Sequence, residues 1–139
     1  MSDDSVMLQE NSSLLLEIRT IARNIASKLG IESSGVSPSG GTVLEQNNAL
    51  ILRNQALFKQ IASQMGLDSH TMIPSSGSLL DQHNALLKQN RAIVSSALGA
   101  LGISIEGSIP TSGSLPEQNN QLLKGNKAAL EKIASKLGV

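Results

Sequence analysis

Leu-Glu-Gln-Asn-Asn-Ala-Leu, at residues 44–50, recurs with few changes at residues 80–86 and 116–122. A fainter version occupies residues 8–14. Each copy begins 36 residues after the one before it, without insertion or deletion. A fixed internal spacing of this size is typical of proteins in which every repeat is one structural unit. The 139-residue chain is therefore predicted to be a single array of four repeats, with units at about 1–41, 42–77, 78–113 and 114–139.

Each repeat carries the start and stop signals of one helix. At the start, Thr42 is followed three residues later by Glu45, which is the form of a capping box. At the end, Gly66 is followed by the apolar Leu67, which is typical of a Schellman motif. Equivalent start pairs recur at Ser78 with Asp81 and at Ser114 with Glu117, and the stop signal recurs in every repeat, so the sequence predicts an all-α fold. Amphipathic helices of about 23 residues are expected at 7–29, 43–65, 79–101 and 115–137.

Apolar side chains recur every seven residues within these helices, and Asn or His recurs beside them. The pattern is wider than a two-stranded coiled-coil seam and suits a helix bundle or a groove in a partner. The repeated amides either bond a neighbouring backbone or each other and so fix the register, or they form a solvated stripe. The predicted seam or interface comprises Leu44, Asn47, Ile51, Asn54, Phe58, Leu80, His83, Leu87, Asn90, Val94, Asn119, Leu123, Asn126 and Leu130.

The connectors at 30–42, 66–78 and 102–114 are equal in length and rich in Gly, Ser and Pro. Nearly extended, a connector of this length reaches about 40 Å, enough to run back along a helix of about 34 Å. Helices that all point the same way are therefore favoured. The alternative is an antiparallel four-helix bundle, although its loops are usually only about 2–8 residues long.

The composition excludes several classes of partner. Lys plus Arg and Asp plus Glu number eleven each, so no net charge attracts nucleic acid or an anionic membrane. Phe58 is the sole aromatic residue, which argues against base stacking, and the absence of Cys excludes disulfides and thiolate chemistry.

No apolar run of about 18 residues is present, so no membrane span is expected. The acidic first residues do not resemble a signal peptide. A cytoplasmic protein is expected, or a virion protein if a phage encodes it.

No catalytic, cofactor or metal site is predicted. His70 lies in a connector and His83 replaces the Asn of the sister repeats, so neither forms half of a catalytic pair or a metal motif. Residues 35–42 resemble a phosphate-binding loop only faintly, because they lack its Lys and a preceding strand. An enzyme is therefore not expected.

The leading functional hypothesis is a structural or assembly protein, such as a scaffold, an adaptor or a cement. Its partners would be proteins, through self-association or a larger repetitive assembly that reads near-identical helical surfaces. Few aromatic residues and abundant Ser, Asn, Gln and Gly are also typical of a phage virion component. The alternative hypothesis is a self-contained four-helix binding module.

Overall fold

A computed structural model describes residues 4–31, 41–68, 77–104, 110 and 112–139. Within them the chain forms four α-helices and no strand, which confirms the all-α prediction. They are α1 (Asp4–Lys28), α2 (Val43–Gln64), α3 (Leu79–Ala100) and α4 (Leu115–Leu137). The starts of α2, α3 and α4 agree with the sequence prediction, whereas α1 begins three residues earlier than the predicted 7.

The helix starts are fixed by side chains of the preceding residue. Thr42 Oγ1 accepts a hydrogen bond from the Glu45 backbone N–H at 3.1 Å, and the Thr42 backbone N–H donates to the Glu45 carboxylate at 3.3 Å. Ser78 and Asp81 form the same reciprocal box at α3. At α4 only half of the box is present, since Ser114 accepts from the Glu117 N–H without the return bond to its backbone. These bonds satisfy donors that have no partner inside the helix.

The helix ends are fixed by glycines with left-handed backbone. Gly66 has φ of 80°, and the next residue, Leu67, donates its N–H to the Ala62 carbonyl at 2.9 Å. This long backbone bond, together with the positive φ, defines a Schellman motif, and the same bond occurs in all four repeats. The predicted glycine stop signals are confirmed, and α1, α2 and α3 each end one residue before the predicted bound. The glycines concerned are Gly30, Gly66, Gly102 and Gly138.

Contacts between the helices give their relative direction. Near the start of both helices, Asn47 Nδ2 of α2 donates to the Leu8 carbonyl of α1 at 3.4 Å. Near their ends, Gln64 Nε2 donates to the Leu29 carbonyl at 3.2 Å. α1 and α2 therefore run parallel and in register. Two contacts at matching levels align each of the other neighbouring pairs in the same way. They are Leu44–His83 and Gln55–Asn90 for α2 and α3, Asn84–Asn119 and Leu87–Asn126 for α3 and α4, and Asn11–Pro116 and Glu17–Lys127 for α1 and α4.

The four helices form a closed ring. α1 contacts α2, α2 contacts α3, α3 contacts α4, and α4 contacts α1, whereas the diagonal pairs α1–α3 and α2–α4 make no close backbone contact. Because all helices are parallel, successive helices begin at the same end of the bundle. The predicted extended path of the connectors lies outside the described residues, as does His70.

Equivalent residues of the four repeats lie at the same level of the bundle. Leu15, Ile51, Leu87 and Leu123, spaced 36 residues apart, are each about 1 % exposed and form one apolar layer of the core. A second layer combines the large Phe58 with the small Ala22 of the neighbouring helix, and it is completed by Val94 and Leu130. Pairing a large side chain with a small one keeps the volume of a layer near constant, as dense packing requires. No helix in the described part of the chain is both long and apolar enough to cross a lipid bilayer.

Candidate functional site

The residues predicted from the sequence as a seam all line the interior of the bundle. Leu44 and Leu80 are half-buried near one end, and the other twelve are buried. The asparagines therefore do not form a solvated stripe. They are also enclosed by neighbouring helices of the same chain, so another molecule does not reach them in this structure. The predicted seam is therefore internal. Its polar residues form two layers of buried amides, and its apolar residues form the layers next to them.

The first amide layer consists of Asn11, Asn47, His83 and Asn119, each only 2–3 % exposed. Asn11 Nδ2 donates to the Pro116 carbonyl at 3.3 Å, just as Asn47 Nδ2 donates to the Leu8 carbonyl. His83 bonds the equivalent carbonyl, that of Leu44. Each of these three bonds joins one helix to the helix before it in the ring. An Asn whose Nδ2 faces a carbonyl has a defined orientation, because a carbonyl oxygen only accepts.

A second set of amides extends these bonds and was not singled out from the sequence. Asn84 Nδ2 donates to Asn119 Oδ1 at 3.0 Å across the α3–α4 interface, and Asn120 Nδ2 donates to Asn11 Oδ1 at 2.9 Å across the α4–α1 interface. At α4–α1 the result is a chain of two hydrogen bonds, from Asn120 to Asn11 and on to the Pro116 carbonyl. The sequence signal was the Asn that directly follows the first-layer residue in three of the four repeats, at positions 48, 84 and 120.

At the other two interfaces the bond from amide to amide is missing. α1 has Ser12 at the position of Asn84 and Asn120, and Asn47 Oδ1 has no hydrogen-bond partner among the described residues. α3 has His83 at the position of Asn11 and Asn119. Both His83 Nε2 and Asn48 Oδ1 are buried and have no hydrogen-bond partner within the described ranges. Two departures from the repeat thus coincide with three unpaired polar atoms at this level. Asn54 Oδ1 and Asn126 Oδ1 are also buried without a partner among the described residues, and they lie seven residues further along their helices.

The second amide layer lies seven residues further along the helices. It contains Ile18, Asn54, Asn90 and Asn126, and these side chains are buried. Asn54 Nδ2 donates to the Leu15 carbonyl at 3.3 Å and Asn126 Nδ2 to the Leu87 carbonyl at 3.4 Å. Asn90 Oδ1 accepts from Gln55 Nε2 at 3.0 Å. Each bond again crosses one helix interface at a fixed level, so the two layers together define the parallel register.

The electrostatic state of His83 follows from its position. Burial lowers the pKa of His83 to about 4, and the hydrogen bond to the Leu44 carbonyl opposes part of that shift. The imidazole is therefore neutral at pH 7. Because Nε2 is unpaired, the bond to the carbonyl is made by Nδ1–H, which leaves Nε2 with a free lone pair.

Two outer clefts between adjacent helices are equivalent under the repeat. The cleft between α2 and α3 is lined in part by Ala62, Leu67, Ile93 and Ser96. On the opposite side of the ring, the cleft between α4 and α1 has four lining residues at the same repeat positions, namely Ala134, Val139, Ile21 and Asn24. The remaining lining differs, with Glu131 and Ser135 in this cleft and Asp68, Gln89 and Ala92 in the other. The bundle therefore presents one type of cleft twice.

The α4–α1 interface also carries charges on its outer side. Lys127 Nζ lies 3.0 Å from Glu17 Oε2, and Lys124 Nζ lies 3.5 Å from Glu10 Oε1. The hydrogen bond to Glu17 and its negative charge raise the pKa of Lys127. All four side chains are substantially exposed, so water screens both pairs and they contribute little to stability.

Within the described ranges, no three His, Cys, Asp or Glu side chains gather into a group that could hold a metal ion. Comparison with known proteins gives no match, since no family model, no curated protein and no solved structure shows significant similarity to the chain.

Proposed function

We propose that this chain is a non-enzymatic structural or assembly protein that acts as a scaffold, an adaptor or a cement. Its building unit is the 36-residue repeat of one helix and an extended connector, and its task is to hold repeated surfaces in fixed positions. The observation that carries the proposal is the pair of equivalent clefts, at α2–α3 and α4–α1. A partner that binds the four shared positions of one cleft finds their counterparts in the other cleft.

The buried amide layers support this proposal because they make the bundle a defined spacer. Apolar side chains alone permit neighbouring helices to slide by a turn, whereas a buried amide that bonds one particular carbonyl favours a single register. The Asn47–Leu8 and Asn126–Leu87 bonds impose that preference at two interfaces. The two clefts are thereby kept at a constant height and spacing. Such a spacer suits a repetitive assembly, including a phage virion, where equivalent sites recur.

The second candidate is a self-contained binding module that works outside any large assembly. The observation in its favour is that the predicted seam is used inside the chain, where Ile51, Leu87 and Leu123 are each about 1 % exposed. A chain whose apolar residues are satisfied internally does not need a partner in order to fold. We also propose that the protein is located in the cytoplasm, or in a virion if a phage encodes it.

A cross-linking experiment tests the proposal. The chain has no native Cys, so a photo-cross-linker attached to Ser96→Cys or Asn24→Cys probes one cleft at a time. Ser13→Cys and Ala56→Cys are matched controls, because both positions are exposed and lie outside both clefts. Each labelled protein is added to extract from the native source, and the adducts are identified by mass spectrometry.

The assembly proposal expects the same partner polypeptide to cross-link from both clefts and not from the controls. It further expects an Asn24→Arg or a Ser96→Arg substitution to halve the number of partners bound, and the double variant to bind none. If one single variant abolishes all binding, the binding-module candidate is favoured. If both clefts give the same adducts as the controls, the clefts are not the contact surface and the proposal is wrong.

A further inference from the structure

A small cavity lies inside the bundle at the level of the first amide layer. Its walls include Asn47 and His83, with Ile51 and Leu87 from the apolar layer beside them. The cavity measures about 10 Å³ as the space open to the centre of a water-sized sphere. This is about the space that one water molecule needs.

The polar atoms without a partner around this cavity are hydrogen-bond acceptors. Asn47 Oδ1 is one, because Asn47 Nδ2 is already engaged with the Leu8 carbonyl. His83 Nε2 is the other, because the Nδ1–H of this neutral ring is engaged with the Leu44 carbonyl. Both residues are at least 97 % buried. A buried acceptor left without a donor is costly, so the site favours a ligand that donates two hydrogen bonds.

The chemistry of the lining decides between an ion and a neutral ligand. An anion needs unpaired donors, whereas the unpaired buried polar atoms of this lining, Asn47 Oδ1 and His83 Nε2, both accept. A cation needs negative charge or several oxygen ligands to offset its lost hydration, and no carboxylate lines the cavity. Water is neutral, has the right size and supplies two donors.

We propose that one water molecule binds inside the bundle and bridges the α2 and α3 helices by donating to Asn47 Oδ1 and His83 Nε2. This water supplies the hydrogen bonds that Asn47 Oδ1 and His83 Nε2 lack where Ser12 and His83 depart from the repeat pattern. Buried water of this kind is an integral part of a fold and joins groups that cannot reach each other.

Two measurements on the full-length wild-type protein test the proposal. A high-resolution crystal structure shows whether ordered density lies within hydrogen-bond distance of both anchor atoms. Water–protein nuclear Overhauser effects in solution show whether a long-lived water lies next to the methyl groups of Ile51 and Leu87. Both signals are expected. A dry cavity by either method overturns the proposal, and so does density with the anomalous scattering of a metal ion.

A double variant, Ser12→Asn with His83→Asn, tests the assigned anchors. It restores the amide at both positions of the repeat pattern. The new amide at position 12 can then donate to Asn47 Oδ1, and Asn48 Nδ2 can donate to the new amide oxygen at position 83, as Asn84 does to Asn119. The long-lived water signal is expected to disappear. If the signal persists unchanged in the folded double variant, the anchors are wrong and the proposal fails. The wild-type measurements decide the matter by themselves if the variant does not fold.

Discussion

His83 occupies a position at which the other three repeats have Asn, and this single exchange creates a buried titratable group. The pKa of His83 in the folded protein is about 4, whereas an unfolded His has a pKa of about 6.5. Between these values the unfolded chain binds a proton that the folded chain does not. Stability is therefore lost as the pH falls from about 6.5 towards 4, and the loss levels off below that point.

The predicted size of this effect is up to about 3 kcal/mol of unfolding free energy. It is measured by urea unfolding at pH 7, 6, 5 and 4. His83→Asn is the matched control, because Asn is the residue of the sister repeats and has no charge to gain. The variant should lose less stability than the wild type over this range. If both proteins lose stability in parallel, His83 is not the group responsible.

Ser12 is the second residue at which the repeat pattern is broken. Ser12→Asn is predicted to raise the free energy of unfolding by about 1 kcal/mol, because a direct amide bond to Asn47 Oδ1 replaces one made by an immobilised water. The equivalent donor, Asn84, bonds Asn119 Oδ1 at 3.0 Å. Ser13→Asn is the control, since Ser13 is exposed on the outer face of the same helix. Equal urea midpoints for the two variants would contradict the account of the unpaired atom.

At the scale of the helix, local signals in the sequence were sufficient to place the starts of α2, α3 and α4, whereas α1, whose sequence has no such capping box, begins three residues before its predicted start. Thr42 with Glu45 and Gly66 with Leu67 act within one turn of the helix end, so they form the same contacts whatever the rest of the fold does. The polar partners across interfaces were harder to predict. Asn84 and Asn120 bond residues 35 and 109 positions away, and such pairs depend on the tertiary arrangement.

Two glycines of similar surroundings test the account of the helix ends. Gly66 has φ of +80°, and Gly99 lies within α3 and is exposed. A Cβ atom added at either position meets no neighbour within 4 Å, so backbone conformation alone decides the outcome. Gly66→Ala is predicted to destabilise the protein by about 1 kcal/mol, whereas Gly99→Ala is predicted to stabilise it by about 0.5–1 kcal/mol. Thermal unfolding followed by circular dichroism measures both. Effects of the same sign would contradict the left-handed C-terminal motif.

At the scale of the whole molecule, the connector length favoured parallel helices without requiring them. The parallel direction follows in the structure from hydrogen bonds that join the same level of neighbouring helices. Examples are the bond from Asn47 to Leu8 and the bond from Gln64 to Leu29. The closure of α4 onto α1 was least visible in the sequence. The first repeat is the most divergent of the four, and it has Ser12 and Ile18 where its sisters have Asn.

Common layers imply that distant substitutions compensate each other. Phe58→Ala is predicted to cost about 3–5 kcal/mol, and Ala22→Phe about 1–3 kcal/mol through overpacking. Because the two residues share a layer, the double variant should be more stable than the sum of the single effects predicts, by at least about 1 kcal/mol. Urea unfolding of the four proteins measures this coupling. Strict additivity would place the two residues in different layers.

Neighbouring helices of one chain run parallel and in register, and distances between spin labels can distinguish this arrangement from an antiparallel one. Pulsed electron paramagnetic resonance measures such distances. Ser27, Ser63 and Ala49 supply two label pairs, with Ser27 and Ser63 exposed and Ala49 half-buried. In the parallel bundle Ser27 and Ser63 lie at one level, whereas Ala49 lies 14 residues, or about 21 Å, further along the axis. We predict a short distance for Ser27→Cys with Ser63→Cys and a clearly longer one for Ser27→Cys with Ala49→Cys. The reverse order would show that α1 and α2 are antiparallel and would contradict the account.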